Sequence, residues 1–153
     1  MASQLSIERK LQLPVPPERV FAALITPSDL AQWWQASSAI VLPQTGGLWI
    51  ASWGDLDDPD YIVAARLLEF DPPQRLVMGE YQYQSRFGDL PFDADLRTEF
   101  TVSASAPGAT LRVLKHAFPL TPDADEDYRG CEEGWDRTLA SMLQMFDDAP
   151  PAS

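Results

Sequence analysis

Cys131-Glu132-Glu133-Gly134-Trp135-Asp136-Arg137-Thr138-Leu139-Ala140-Ser141-Met142-Leu143-Gln144-Met145-Phe146 is the stretch that decides the fold. Within it Cys131, Trp135, Thr138, Leu139, Met142 and Phe146 recur at spacings of 4, 3, 1, 3 and 4. That spacing is an apolar stripe along one face of a helix. Upstream, Thr121-Pro122-Asp123 supplies an N-cap followed by proline at the first helical position. One long helix over about 122–147 is therefore predicted, roughly 37 Å long at 1.5 Å per residue. Trp135, Leu139 and Met142 should face a sheet. The acidic residues Asp123, Asp125, Glu126, Asp127, Glu132 and Glu133 fall in its first half, where the earliest of them complement the helix dipole.

The chain before this helix has strand character. Candidate strands cover 39–43, 47–53, 61–70, 75–84, 95–104 and 109–118. Gly46-Gly47, Asp57-Asp58-Pro59-Asp60, Asp71-Pro72-Pro73 and Ala106-Pro107-Gly108 supply turn chemistry between them, and Ser85 to Asp93 forms a longer loop. Connections this short imply antiparallel pairing. Leu96, Thr98, Phe100 and Val102 share the inward parity of their strand, with Arg97 and Glu99 outside. In 75–84 two parities compete: Val77, Gly79, Tyr81 and Tyr83 against Leu76, Met78, Glu80 and Gln82. Glu80 inside would need a partner, and Arg112 is the natural one.

At the other end, Leu5, Ile7, Arg9, Leu11 and Leu13 alternate as in a strand, with Arg9 the odd member. Pro14, Pro16 and Pro17 stop the ladder. Two short helices follow, over about 17–25 and 28–36. Val20, Phe21 and Leu24 lie on the first, and Leu30, Trp33 and Trp34 on the second. The expected organisation is a single domain over 1–148 with a frayed tail at 149–153.

Composition narrows the function classes. The 153 residues carry 11 Lys plus Arg against 23 Asp plus Glu, a formal charge of −12. Phosphate binding needs clustered cations, so nucleic acid and anionic membranes are not expected as partners. Cys131 and His116 stand alone, which leaves no disulfide framework and no zinc site of the His/Cys type. No apolar run approaches the roughly 20 residues that span a bilayer. These features favour a cytoplasmic setting, with no cofactor and no metal.

The order of strand, two short helices, six strands and one long helix resembles the START-like, Bet v 1-like superfamily (SRPBCC). It is most similar there to the family named for the activator of heat-shock protein 90 ATPase homologue. The resemblance rests on Pro17-Glu18-Arg19-Val20-Phe21 leading to Leu30-Ala31-Gln32-Trp33-Trp34, and on Glu69-Phe70-Asp71-Pro72-Pro73-Gln74-Arg75-Leu76-Val77. Thr110 with His116, and Gly134-Trp135 leading to Leu139 and Leu143, complete it. It implies an α+β helix-grip fold: a seven-stranded antiparallel sheet curled around the long C-terminal helix, with two short helices after the first strand. It also implies a ligand cavity between sheet and helix. Arg112 departs from the family pattern, which has an apolar residue there.

Aromatic side chains with polar tips suit a pocket for an apolar ligand. The expected lining is drawn from Trp49, Trp53, Tyr81, Tyr83, Phe100, Leu114, His116, Trp135 and Met142. Each of the aromatics has a competing role as core filling. No catalytic residue is nominated: His116 has no Ser or Cys partner pattern, and Cys131 lies on the helix stripe as a small apolar residue. The expected function is binding of a small, largely apolar molecule in the cavity. One alternative is a chaperone-accessory protein acting on a chaperone through its surface. Another is a cavity enzyme of cyclase or hydrolase type, which would have to draw on His116, Glu80 or the tyrosines.

Overall fold

The computed structural model describes the backbone of residues 4–85, 96–106, 108–119 and 122–148, and the side chains of 6–85, 96–106, 108–116 and 128–147. The expected loop over 86–93, the Thr121 cap, the acidic side chains at 123–127 and the 149–153 tail lie outside these residues. The elements run β1 (Gln4–Leu13), α1 (Pro17–Ile25), α2 (Pro27–Trp33), β2 (Ser38–Val41), β3 (Leu48–Gly54), β4 (Pro59–Asp71), β5 (Arg75–Ser85), β6 (Arg97–Ser105), β7 (Gly108–Pro119) and α3 (Pro122–Asp148). All seven strands form one antiparallel sheet in the order β1-β7-β6-β5-β4-β3-β2. The helix-grip architecture expected from the sequence is the observed one.

Alternation builds the inner face. Trp49 and Ala51 of β3, Ala65 and Leu67 of β4, Thr98, Phe100 and Val102 of β6, and Ala109, Leu111 and Val113 of β7 are buried on one side. Against them α3 sets Trp135, Leu139, Met142 and Phe146, all buried. This is the stripe read from the sequence. Its burial supplies most of the helix's stability, because propensity alone leaves a helix marginal.

Helix α2 is shorter than the expected 28–36. Its end follows from Gln35, which takes the left-handed φ of 61°. A residue in that conformation stops the helical ladder. The Ala36 amide then donates back to the Leu30 carbonyl at 3.2 Å.

A β-bulge settles the competing parities of β5. Glu80 has a left-handed φ of 50°, and the β4–β5 register shifts between Ala64–Gln82 and Arg66–Gly79. One residue of β4 thus opposes two of β5, which moves every later side chain to the other face. Leu76 and Met78 point inward before the bulge, and Tyr81 and Tyr83 take the inward parity after it. Both sequence parities are correct, each for half of the strand.

Candidate functional site

The interior between sheet and α3 has two ends of different chemistry. At one end the aromatics pack on each other. Trp34 has ring centroids 4.8 Å from Trp33, 5.3 Å from Trp49, 6.0 Å from Trp53 and 5.0 Å from Trp135. Phe100 meets Trp135 edge-on at 6.0 Å. Three indole donors are already engaged. Trp33 Nε1 donates to the Ala23 carbonyl at 2.8 Å, Trp49 Nε1 to Leu24 at 3.1 Å, and Trp53 Nε1 to Trp34 at 2.8 Å. Ala23 and Leu24 are in the last turn of α1, where carbonyls have no partner within the helix. The tryptophans therefore seal the helix ends and fill space. Of the expected lining residues, Trp49, Trp53, Phe100 and Trp135 meet in this packed half, and Met142 is buried in the same core.

At the other end the inward face turns polar. Tyr81 Oη and Thr98 Oγ1 are 2.5 Å apart, and Thr98 is only 2% exposed. Burial pushes the Tyr81 phenol well above its ordinary value, against a smaller opposing effect of the Thr98 hydrogen bond. Tyr81 is thus a neutral donor at any physiological pH, and a poor base. Two hydroxyls carry two protons. One lies between the oxygens, and among the described residues the second has no acceptor. Lys115 shares the inward parity of Val113, and its Nζ lies 5.7 Å from the Tyr81 ring centroid. Cys131 of α3 is an electrostatic neighbour of Tyr81. Tyr83 continues the row, its ring 6.0 Å from Tyr61.

Two expected lining residues belong elsewhere. Leu114 is opposite Glu8 and Glu99 and has the parity of Arg112, away from buried Leu111 and Val113. His116 shares that outer face. Its Nε2 is 2.7 Å from Glu99 Oε2, within ion-pair range but without an aligned hydrogen bond. Glu99 in turn accepts from Arg75, which also donates to Glu69 at 2.6 Å. Desolvation pushes the Glu99 carboxyl up, but the Arg75 hydrogen bond and charge, with His116, hold it below its ordinary value. The expected Glu80–Arg112 pair does not form. Arg112 Nε donates to Glu8 at 2.6 Å on β1, and exposed Glu80 lies 3.6 Å from Arg66. Period-two alternation in β7 puts both Arg112 and Leu114 on the wet side.

Two polar links escaped the sequence reading. Arg9, the odd member of the β1 alternation, reaches α3: its Nε donates to Asp136 at 2.7 Å and its Nη2 to Glu132 at 3.3 Å. The i, i+4 spacing of those carboxylates on α3 was the available signal. Arg19 of α1 makes a two-pronged bond to Asp29 of α2, both contacts 2.8 Å, and its guanidinium lies 5.2 Å from the Phe146 ring centroid. Among the described residues no group of three or more His, Cys, Asp or Glu is placed to hold a metal. No helix there is long and apolar enough to cross a membrane.

Comparison with known proteins gives the same architecture. A structure of a Mesorhizobium loti protein is 24% identical, with a TM-score of 0.73 over 97% of this chain and 99% of that one. A Chromobacterium violaceum protein is 22% identical, with a TM-score of 0.71 over 94% and 99%. A Rhodobacter sphaeroides protein is 18% identical, with a TM-score of 0.74 over 95% and 93%. At these identities the likeness is one of fold. No curated protein matches the sequence. A family model does, over residues 14–147, which takes in every element after β1 except the last residue of α3, and both ends of the interior. With nearly the whole domain inside that match, the chain belongs to the family described as Activator of Hsp90 ATPase homolog 1-like protein.

Proposed function

We propose that this protein binds a small, largely apolar molecule between the concave sheet and α3, at the Tyr81–Thr98 end of the interior. The observation that carries the reading is the hydroxyl pair itself. Thr98 is buried, and a hydroxyl buried without a full set of partners costs about 1–3 kcal/mol, so a core that served packing alone would favour an apolar side chain there. The spare proton of Tyr81 and Thr98 fits a ligand carbonyl, ether or phenol oxygen, and the surrounding aromatics fit the ligand's body. Catalysis is less well supported. His116 and Glu80, on which a cavity enzyme would have to draw, lie on the outer face, and Tyr81 resists ionisation.

Titration with a panel of lipids, flavonoids and polyketide-like aromatics, followed by tryptophan emission, tests this. A member that binds at micromolar concentration should lose roughly threefold to tenfold in affinity in Tyr81→Phe and Thr98→Val, the worth of one hydrogen bond. Unchanged emission across the panel, or equal affinity in both variants, would count against the site. A second reading, action on a chaperone through the surface, draws on the family description alone. Stimulation of a purified chaperone ATPase by the protein would support it.

A further inference from the structure

The two edges of the sheet are unlike. β1 carries Glu8, Arg9 and Lys10, the kind of charge that keeps an edge strand from pairing with another chain. β2 has none. From Leu30 to Gly54 no residue is charged, in a chain that is 22% charged with a net −12. On the outer face of this region Ile40 is 62% exposed and Leu42 49% exposed, beside half-buried Ile50 and Ile62.

We infer that β2 is a homodimer edge: two copies of this chain pair antiparallel through Ser38–Val41 about a two-fold axis at Ile40. The backbone register supports that axis. β2 pairs with β3 as Ile40–Ile50 and Val41–Trp49, and the Leu42 amide donates to the Leu48 carbonyl at 2.8 Å. Antiparallel ladders alternate, so Leu42 and Ile40 direct their backbone groups at β3 while Val41 and Ala39 direct theirs to the open edge. A two-fold at Ile40 sets Ala39 against the second copy's Val41, and Val41 against its Ala39. Each such pair can exchange two hydrogen bonds. Ile40 then meets its own copy in the non-hydrogen-bonded pair, where side chains come closest. Its exposed side chain gains an apolar partner, and the turn at Gly46-Gly47 holds the edge in place. That turn is sewn to β4 by bonds of 2.8 Å from the Gly46 amide to Leu67 and from the Leu67 amide to Gly47.

Charge selects the occupant. Two chains of −12 repel wherever acidic surface meets acidic surface, and a contact built on the charge-free Leu30–Gly54 stretch avoids this. An acidic or basic strand from another protein would find no complementary charge here. The contact is small, so the dimer belongs to the reversible class of interfaces.

Sedimentation equilibrium and native mass spectrometry of the full chain test the inference. A species of twice the 17.0 kDa chain mass is expected as concentration rises. Ile40→Lys places like charges opposite each other and should raise the dimer dissociation constant roughly tenfold or more. Because Ile40 is exposed, the variant's circular dichroism, and its thermal midpoint at concentrations where both chains are monomeric, should match the wild type. Ile40→Cys should form a disulfide-linked dimer on mild oxidation, since a non-hydrogen-bonded pair sets Cα atoms about 4.5 Å apart, within disulfide reach. A wild-type chain that stays monomeric at roughly 100 micromolar, well above the micromolar constants of small reversible interfaces, overturns the inference and leaves the edge to a strand of a different protein. A dimer that persists unchanged in Ile40→Lys overturns it too, by showing that another surface pairs.

Discussion

Trp49 shows how a single side chain joins two layers. Its ring is buried on β3 while its indole donor ends on the Leu24 carbonyl of α1. Trp49→Phe keeps an aromatic ring and deletes the donor, leaving a buried carbonyl without its partner. Urea unfolding should show a loss of about 1–3 kcal/mol. Trp135 has no such polar task among the described contacts; it fills volume between Trp34 and Phe100. Trp135→Ala should cost about 3–5 kcal/mol, the range for deleting a large core aromatic. If its cost fell below that of Trp49→Phe, the aromatic end would be loosely packed and the assignment of the ligand to the Tyr81 end would weaken.

Helix α3 is held differently along its length. Toward the C-terminus Leu139, Met142 and Phe146 are buried. Toward the N-terminus polar ties take over: Arg9 to Glu132 and Asp136, and the Tyr128 hydroxyl to the Ser6 carbonyl at 2.9 Å. Arg9 and its partners are partly exposed, and pairs of that kind contribute about 0–1 kcal/mol. Arg9→Gln should therefore shift the thermal midpoint little. It should still speed amide exchange around 128–136 while leaving 139–146 protected, because local opening follows local contacts. The α1–α2 junction is the reverse case. Asp29 is 8% exposed and takes both of its bonds from Arg19. Asp29→Asn should lower stability by about 1.5–3 kcal/mol, the worth of charge-assisted bonds, in equilibrium denaturation.

Over the whole molecule, charge sets the response to pH and salt. Glu99 is held below its ordinary carboxylate value in the folded chain. A depressed carboxyl stabilises the fold above its unfolded value, and that contribution is lost as pH falls through the lowered folded value. Between about pH 5 and 3 the wild type should thus lose more stability than Glu99→Gln, whose amide does not titrate. Chemical denaturation at a series of pH values measures the difference. Net charge of −12 also means self-repulsion. Added salt should raise the thermal midpoint, and binding to duplex DNA should be undetectable in anisotropy titrations at physiological salt.

Periodicity in the sequence determined the element order and the buried stripe Trp135, Leu139, Met142, and the short turns between strands determined the antiparallel sheet. These depend on which side of a helix or strand is apolar and on how short the turns are, and both are local properties. Site placement was legible only where alternation ran unbroken, as through Leu96, Thr98, Phe100 and Val102. It failed where a single backbone dihedral intervened. Glu80 at φ 50° reverses the faces of β5 and brings Tyr81 to Thr98; the neighbouring Gly79 is the one hint of a bulge, and a lone glycine in a strand does not say which residue takes the left-handed turn. The Glu80–Arg112 pairing failed for a related reason. Arg112 belongs with Glu8, 104 residues away in the chain, and only strand order makes them neighbours. The tryptophan donors, the Arg9 tether and the Arg19–Asp29 clamp likewise join distant elements. Tertiary structure alone decided them, because a hydrogen bond depends on which atoms the folded chain brings within about 3 Å, whatever their distance in sequence.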